Sequence, residues 1–354
     1  MQPCDKLARR TPDFETFLKV LRREGKPSRL PFYEHVATNT FISAWLGKDI
    51  SEAKGLDYWR LYTTFWLGIG FDCIPMEIKL NLKFPPAQKA DRRPATAVSR
   101  QSESGACIFQ PDDVERVGWP DVSAPIDFKP FEMVASLIPP GCKIVGGVCT
   151  GPFEVATQAL FGLEGLCFAL VDMPEIVDEV FARLRALYVS AVRQLATMDA
   201  IGACRQGDDL GFKTSTFLPP EQLRRLIFPI YAEMAAAAHS FGKPFILHSC
   251  GNLAEVYEDL IACGIDAKHS FEDQIMPVAE FKRRYGDRMT PLGGLDVDVI
   301  CRSDEPALRR YTRKLIEQCF YDGYWAMGTG NSLPPFMPVR NYLIALDEAA
   351  EVAG

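Results

Sequence analysis

The feature that most constrains this chain is a strict alternation of short apolar runs with longer amphipathic stretches. Apolar runs at residues 30–36, 71–78, 142–149, 200–209, 244–251, 267–271, 289–297 and 323–328 read as strands, being short and bounded by Gly, Pro or polar residues. Helical patterns follow them, at 39–47, 56–68, 153–198, 220–241, 252–263, 278–285, 306–319 and 339–352. A strand regularly followed by a helix must pair in parallel, because a parallel neighbour is reached only by a crossover. Eight such units favour closure into a (β/α)8 TIM barrel. An open doubly wound sheet requires a glycine-rich phosphate turn after its first strand, and no G-x-G-x-x-G stands there. The expected architecture is α/β: one TIM-barrel domain over residues 1–354, with N-terminal helices and a polar insertion at about 80–111 over the mouth.

Composition narrows the function classes. The net charge of -7 gives no basic face to neutralise phosphates, so a nucleic-acid partner is not expected. No apolar run approaches the roughly 20 residues of a membrane span, and MQPCDKLARR lacks the apolar segment of a secretory signal. The expectation is a cytoplasmic enzyme. Its 11 cysteines are scattered through strand and helix runs, as reduced thiols are.

Barrel enzymes carry their chemistry at the C-terminal ends of strands. Those ends hold Glu34 and His35, Cys149 and Thr150, Asp208 and Asp209, His248 and Cys250, Glu272 and Asp273, Asp296, and Asn331. His248 and Cys250 stand at i and i+2 on one strand, so their side chains share a face and can converge on one ion. An imidazole with a soft thiolate suits zinc. The same spacing also fits a packed histidine and cysteine inside a barrel. His-x-Cys is half a site, and further ligands must come from other strand ends. Asp208 and Asp209 are candidates for metal coordination, for orienting an imidazole, or for general base catalysis. His269 is the weaker histidine candidate, and His239 reads as a helix residue.

The stretch His248-Ser249-Cys250-Gly251-Asn252, followed by a helix and Gly264-Ile265-Asp266, resembles the uroporphyrinogen decarboxylase superfamily. So do Gly293-Gly294-Leu295-Asp296, Gly330-Asn331-Ser332-Leu333-Pro334 and Pro338-Val339-Arg340-Asn341-Tyr342. The likeness covers residues 30–350 and implies a single barrel. The decarboxylases proper carry an arginine motif after the first strand and end the last strand in Gly-His-Gly. Here residues 32–39 contain no arginine, and Gly330-Asn331-Ser332 stands in the last turn. The resemblance is closer to the cobalamin-dependent methyltransferases, whose zinc site is His-x-Cys with a further Cys in the eighth-strand turn.

That likeness implies a zinc-dependent methyltransferase moving a methyl group between a small substrate and a corrinoid protein supplied in trans, methylcobalamin being the carried cofactor. A homodimer is possible on the same ground. His248 and Cys250 match two ligands, and Asn331 stands where the second thiolate belongs. Completion of the shell then falls to Glu272, Asp208, Asp209 or Cys149. Our assignment places Glu272 with His248 and Cys250 on the metal, and Asp208 and Asp209 as catalytic acids. Glu34, His35, Asn331 and Phe271 are assigned to the substrate. The competing reading is a cofactor-free decarboxylase or lyase acting on a smaller substrate through Asp208 or Asp209.

Overall fold

Six parallel strands form one sheet in chain order: β1 (Cys73–Ile78), β2 (Lys143–Val148), β3 (Ile201–Gly207), β4 (Phe245–His248), β5 (Ala267–His269) and β6 (Thr290–Leu292). The computed structural model describes residue 7, residues 10–85 and residues 106–354. Much of the insertion expected at 80–111 therefore lies outside the described residues. Two shorter segments continue the sheet beyond β6. Leu292 bridges Ala326, and Met327 bridges Phe32, both in parallel. That gives eight strand segments in the order the sequence predicts.

Between the Phe32 segment and β1 no bridge forms among the described residues, and side chains complete the barrel instead. One buried apolar cluster takes a residue from each of the eight segments: Tyr33, Cys73, Val145, Ala203, Ile246, Ala267, Leu292 and Ala326. Residues two apart on a strand face the same way, so this set is the innermost layer of the barrel. The helix Phe14–Arg22 plugs it from below with Phe14, Phe17, Val20 and Leu21. Phe17 stacks on Tyr33, with ring centroids 5.7 Å apart.

The remaining helices cover the outside of the sheet. The longest, Pro174–Ala196, opens on a proline whose missing N–H costs nothing at a first helical position. It buries Val177, Val180, Leu184, Tyr188 and Leu195 along one face. The closing helix Val339–Ala353 packs on Glu305–Cys319 and is fastened to the barrel by Glu34, which accepts from Tyr342 Oη at 2.9 Å and from Thr329 Oγ1 at 2.6 Å. Among the described residues no single helix is long and apolar enough to cross a membrane, and no disulfide forms.

Candidate metal centre

Counting up the strands from the apolar layer gives the site. The next inward positions are His35 above Tyr33, Arg205 above Ala203, His248 above Ile246 and His269 above Ala267. Three of the chain's four histidines thus meet inside the barrel. His35 stacks face-on against His248 at 4.0 Å, and His248 lies 5.0 Å from His269. Arg205 donates from Nη1 to His35 Nδ1 at 2.6 Å, while its Nη2 lies 3.2 Å from Glu77 Oε1. Burial, and then the neighbouring imidazole and cationic groups, hold His35 and His248 well below the usual histidine range. Burial and the Lys268 ammonium push His269 down to about 3. Burial thus favours the neutral form of all three rings.

This three-histidine group does not suit a metal, although its nitrogens are close enough together. His35 Nδ1 is occupied by Arg205, and His248 Nδ1 and His269 Nδ1 face each other at 2.7 Å. A permanent guanidinium beside the rings repels a cation.

The second group lies one step higher, at the mouth. Asp209, His248 and Cys250 each place a ligand atom within 4.8 Å of the others. Register explains the convergence: Gly207 pairs with His248, so Asp209 and Cys250 each follow by two residues on adjacent strands. Asp209 Oδ1 lies 3.8 Å from His248 Nε2 and accepts from the Cys250 backbone N–H at 2.8 Å. Cys250 Sγ is 3.5 Å from His248 Nε2. Two further donors point at the sulfur: Ser270 Oγ at 3.2 Å and Asn331 Nδ2 at 3.4 Å. Burial, followed by the Asp209 charge, pushes the Cys250 thiol up to about 12. A carboxylate, a sulfur with two donors aimed at it and an imidazole form a mixed O, S, N donor set. That donor set is of the kind that could hold a divalent cation.

The turn that presents Ser270 is strained. Ser270 has φ 84, a left-handed conformation uncommon outside glycine. Lys268, fully buried, secures it by donating to the carbonyls of Ser249, His269 and Ser270 at 3.2, 3.1 and 2.5 Å. Burial lowers the Lys268 ammonium to about 8.

The family model described as uroporphyrinogen decarboxylase (URO-D) matches residues 101–352. The chain belongs to the uroporphyrinogen decarboxylase family. A search of curated proteins finds no match. Among solved structures, a methyltransferase from Methanosarcina mazei superposes with a TM-score of 0.72, covering 95% of this chain and 97% of that one at 16% identity. A B12-independent methionine synthase from Shewanella sp. W3-18-1, 14% identical, covers 65% of this chain and 67% of its own; its TM-score of 0.38 is too low to bear on the fold. The first likeness confirms the barrel architecture.

Within this uroporphyrinogen decarboxylase fold, the residues singled out by sequence separate into three sets. His248, Cys250, Asn331 and Asp209 meet at the mouth, and His35 backs them from inside. Glu272 is in neither ligand group, which corrects its assignment to the metal: the left-handed turn at Ser270 resets the strand's alternation, so Ser270 faces the sulfur instead. Glu34 and Asp208 face the walls. Asp208 is fully buried and accepts from Phe153 N, Glu154 N and Tyr231 Oη at 3.1, 2.9 and 2.7 Å, capping a helix start and leaving no free oxygen for catalysis. Glu34, assigned to substrate, has both oxygens taken by Thr329 and Tyr342. Phe271 is buried against Phe281, with Lys268 Nζ 4.4 Å from its ring, and forms one wall of a mouth groove of about 740 Å³ shared with Glu272, Asn331 and Phe336.

Arg205, Glu77 and Ser270 were missed by the sequence reading. Arg205 and Glu77 lie within strand runs rather than at their ends. Their signal was the i, i+2 alternation through Ala203 and Gly207, and through Cys73 and Pro75.

Proposed function

We propose that the protein is a methyltransferase that moves a methyl group between a small substrate and a corrinoid carried by a separate protein, with zinc held by Asp209, His248 and Cys250. The observation that carries this reading is the convergence of those three ligand atoms within 4.8 Å at the ends of β3 and β4. Three protein ligands of this kind, with an open fourth position, are the pattern of a catalytic zinc site. Family membership and the fold shared with a methyltransferase support it.

A bound zinc supplies Lewis-acid chemistry to the heteroatom that carries the methyl group or receives it. The chain's own residues set how strongly. Asn331 stands where a second thiolate would, and it donates to Cys250 Sγ rather than acting as an anion. One thiolate, one carboxylate and one imidazole leave the ion harder and more electrophilic than two thiolates would. That favours an oxygen-bound methyl donor over a thiol acceptor. Ser270 and Asn331 hold the sulfur in place from two sides. The groove beside Asn331, walled by Phe271 and Phe336, is open to the small substrate.

The test is twofold. Purified protein is expected to contain about one zinc per chain, lost in Asp209→Asn, His248→Ala and Cys250→Ser. It is expected to transfer methyl from at least one member of an O-, N- and S-methyl donor panel to reduced corrinoid, followed by absorbance. Zinc-free protein with undiminished turnover, or no transfer from any donor, refutes the proposal.

A further inference from the structure

We infer that His269 is a positioning residue that fixes a hydrogen on Nδ1 of His248 and so makes Nε2 the nitrogen offered toward Asp209 and Cys250. The role toward metal rests on the function proposed above; the assignment of hydrogens stands on geometry alone.

The deduction starts from the far end of the chain of contacts. His269 Nε2 lies 3.1 Å from the Thr329 carbonyl oxygen. A carbonyl only accepts, so His269 Nε2 carries a hydrogen and donates it. His269 is fully buried, no carboxylate meets its ring among the described residues, and the Lys268 ammonium sits on its own carbonyl, so a second ring hydrogen would strand an unpaired charge and Nδ1 is the acceptor. That nitrogen lies 2.7 Å from His248 Nδ1, a distance that requires one hydrogen between them. Only His248 Nδ1 can supply it. With hydrogen fixed on Nδ1, the nitrogen His248 has left to offer a cation is Nε2, which faces Asp209 at 3.8 Å and Cys250 Sγ at 3.5 Å. The opposite arrangement would set two lone pairs against each other at the Thr329 carbonyl.

Among the described residues nothing else competes for His248 Nδ1. His35 meets His248 face to face at an interplanar angle of 14°, so it offers no in-plane acceptor, and its own Nδ1 is taken by Arg205. The buried neighbours Arg205 and Lys268 are donors and cannot replace His269 as an acceptor. Metal-binding histidines ordinarily receive this fixing from a carboxylate, a carbonyl or water. Here a second imidazole relays it from a backbone carbonyl. The relay sets the hydrogen without placing a negative charge beside the ligand, and so leaves the metal more electrophilic.

The measurement is multiple-bond 1H–15N NMR on metal-free protein with 15N-labelled histidine, where four imidazoles are resolved readily. Wild type is expected to show His248 with hydrogen on Nδ1 and His269 with hydrogen on Nε2. His269→Leu removes the acceptor and is expected to move His248 toward the Nε2–H form. His269→Asn returns an oxygen near the position of Nδ1 and is expected to restore the wild-type form. Cobalt(II), titrated by its thiolate charge-transfer absorption, is expected to bind 10- to 100-fold more weakly to His269→Leu and near wild-type affinity to His269→Asn. A wild-type His248 with hydrogen on Nε2 overturns the inference, as does a Leu variant unchanged in both tautomer and cobalt affinity. Wild type with the inferred tautomer but no cobalt uptake upholds the relay and overturns the metal reading.

Discussion

Asp209 Oδ1 accepts a hydrogen bond from the backbone N–H of Cys250 at 2.8 Å, tying the end of β3 to the end of β4. Its neighbour Asp208 turns the other way and satisfies two backbone N–H groups and the Tyr231 hydroxyl. Two adjacent acids therefore have separable roles. Asp209→Asn keeps an acceptor for Cys250 and loses the charge, so zinc or cobalt affinity is expected to fall at least tenfold with little change in Tm. Asp208→Ala leaves three buried donors unpaired, at about 1–3 kcal/mol each when fully stranded. It is expected to unfold at markedly lower denaturant. Metal titration and urea melts on both variants check the pair.

Adjacent strand residues face opposite ways, so the sequence alone says that Asp208 and Asp209 cannot both enter the barrel. It does not say which does. The answer lies in the register of Gly207 against His248, a pairing between strands 41 residues apart. The order of the eight strands was legible because alternation is a local pattern. His248, Cys250 and Asn331 were legible because they stand at strand ends beside glycine turns. Arg205 was not, because a charged residue inside an apolar strand gains its partners, His35 and Glu77, only when distant segments close around it. Glu272 was misplaced because the φ of 84 at Ser270 carries no sequence signal such as glycine.

Glu34 gives a pH-dependent stability. Burial raises its carboxyl from 4.5 to about 7, against hydrogen bonds from Thr329 and Tyr342 that favour the ionised form. The folded pKa lies above the unfolded one, so the folded state holds the extra proton between about pH 4.5 and 7. The protonated group's stability is fully present below pH 4.5 and is lost as pH rises through 7. Glu34→Gln has no such loss. Wild type is expected to lose on the order of 3 kcal/mol relative to Glu34→Gln between pH 4.5 and 8. Paired urea melts across that range measure the difference.

Gly251 tests how tightly the β4 loop is held. Its φ is +90, and a Cβ there would lie 2.1 Å from the carbonyl carbon of Gly211 in the neighbouring loop. That loop accepts from Asn252 N through Phe212 O at 2.8 Å, so it cannot withdraw without breaking the contact. Gly242, at φ +68, has open space around the same position. Gly242→Ala is expected to cost only the left-handed strain, about 1–2 kcal/mol. Gly251→Ala is expected to cost more and to weaken metal binding as well, since it displaces Cys250. Equal losses in thermal melts, with metal affinity unchanged in both, would refute the coupling of loop and site.

Asn331 is the position at which the character of the site is open to change. Its Nδ2 lies 3.4 Å from Cys250 Sγ, so a thiol on the same backbone is within reach of an ion shared with His248 and Asp209. Asn331→Cys exchanges a neutral donor for a second soft anion. Zinc affinity is expected to rise, because thiolate is the stronger ligand for that ion. Electrophilicity is expected to fall, because a second thiolate returns charge to the metal. The variant should bind metal more tightly and yet transfer methyl from oxygen donors more slowly, with cobalt(II) absorption showing additional thiolate charge transfer. Tighter binding with faster transfer from oxygen donors would mean that affinity limits the reaction, and would overturn the argument that the single thiolate keeps the ion hard.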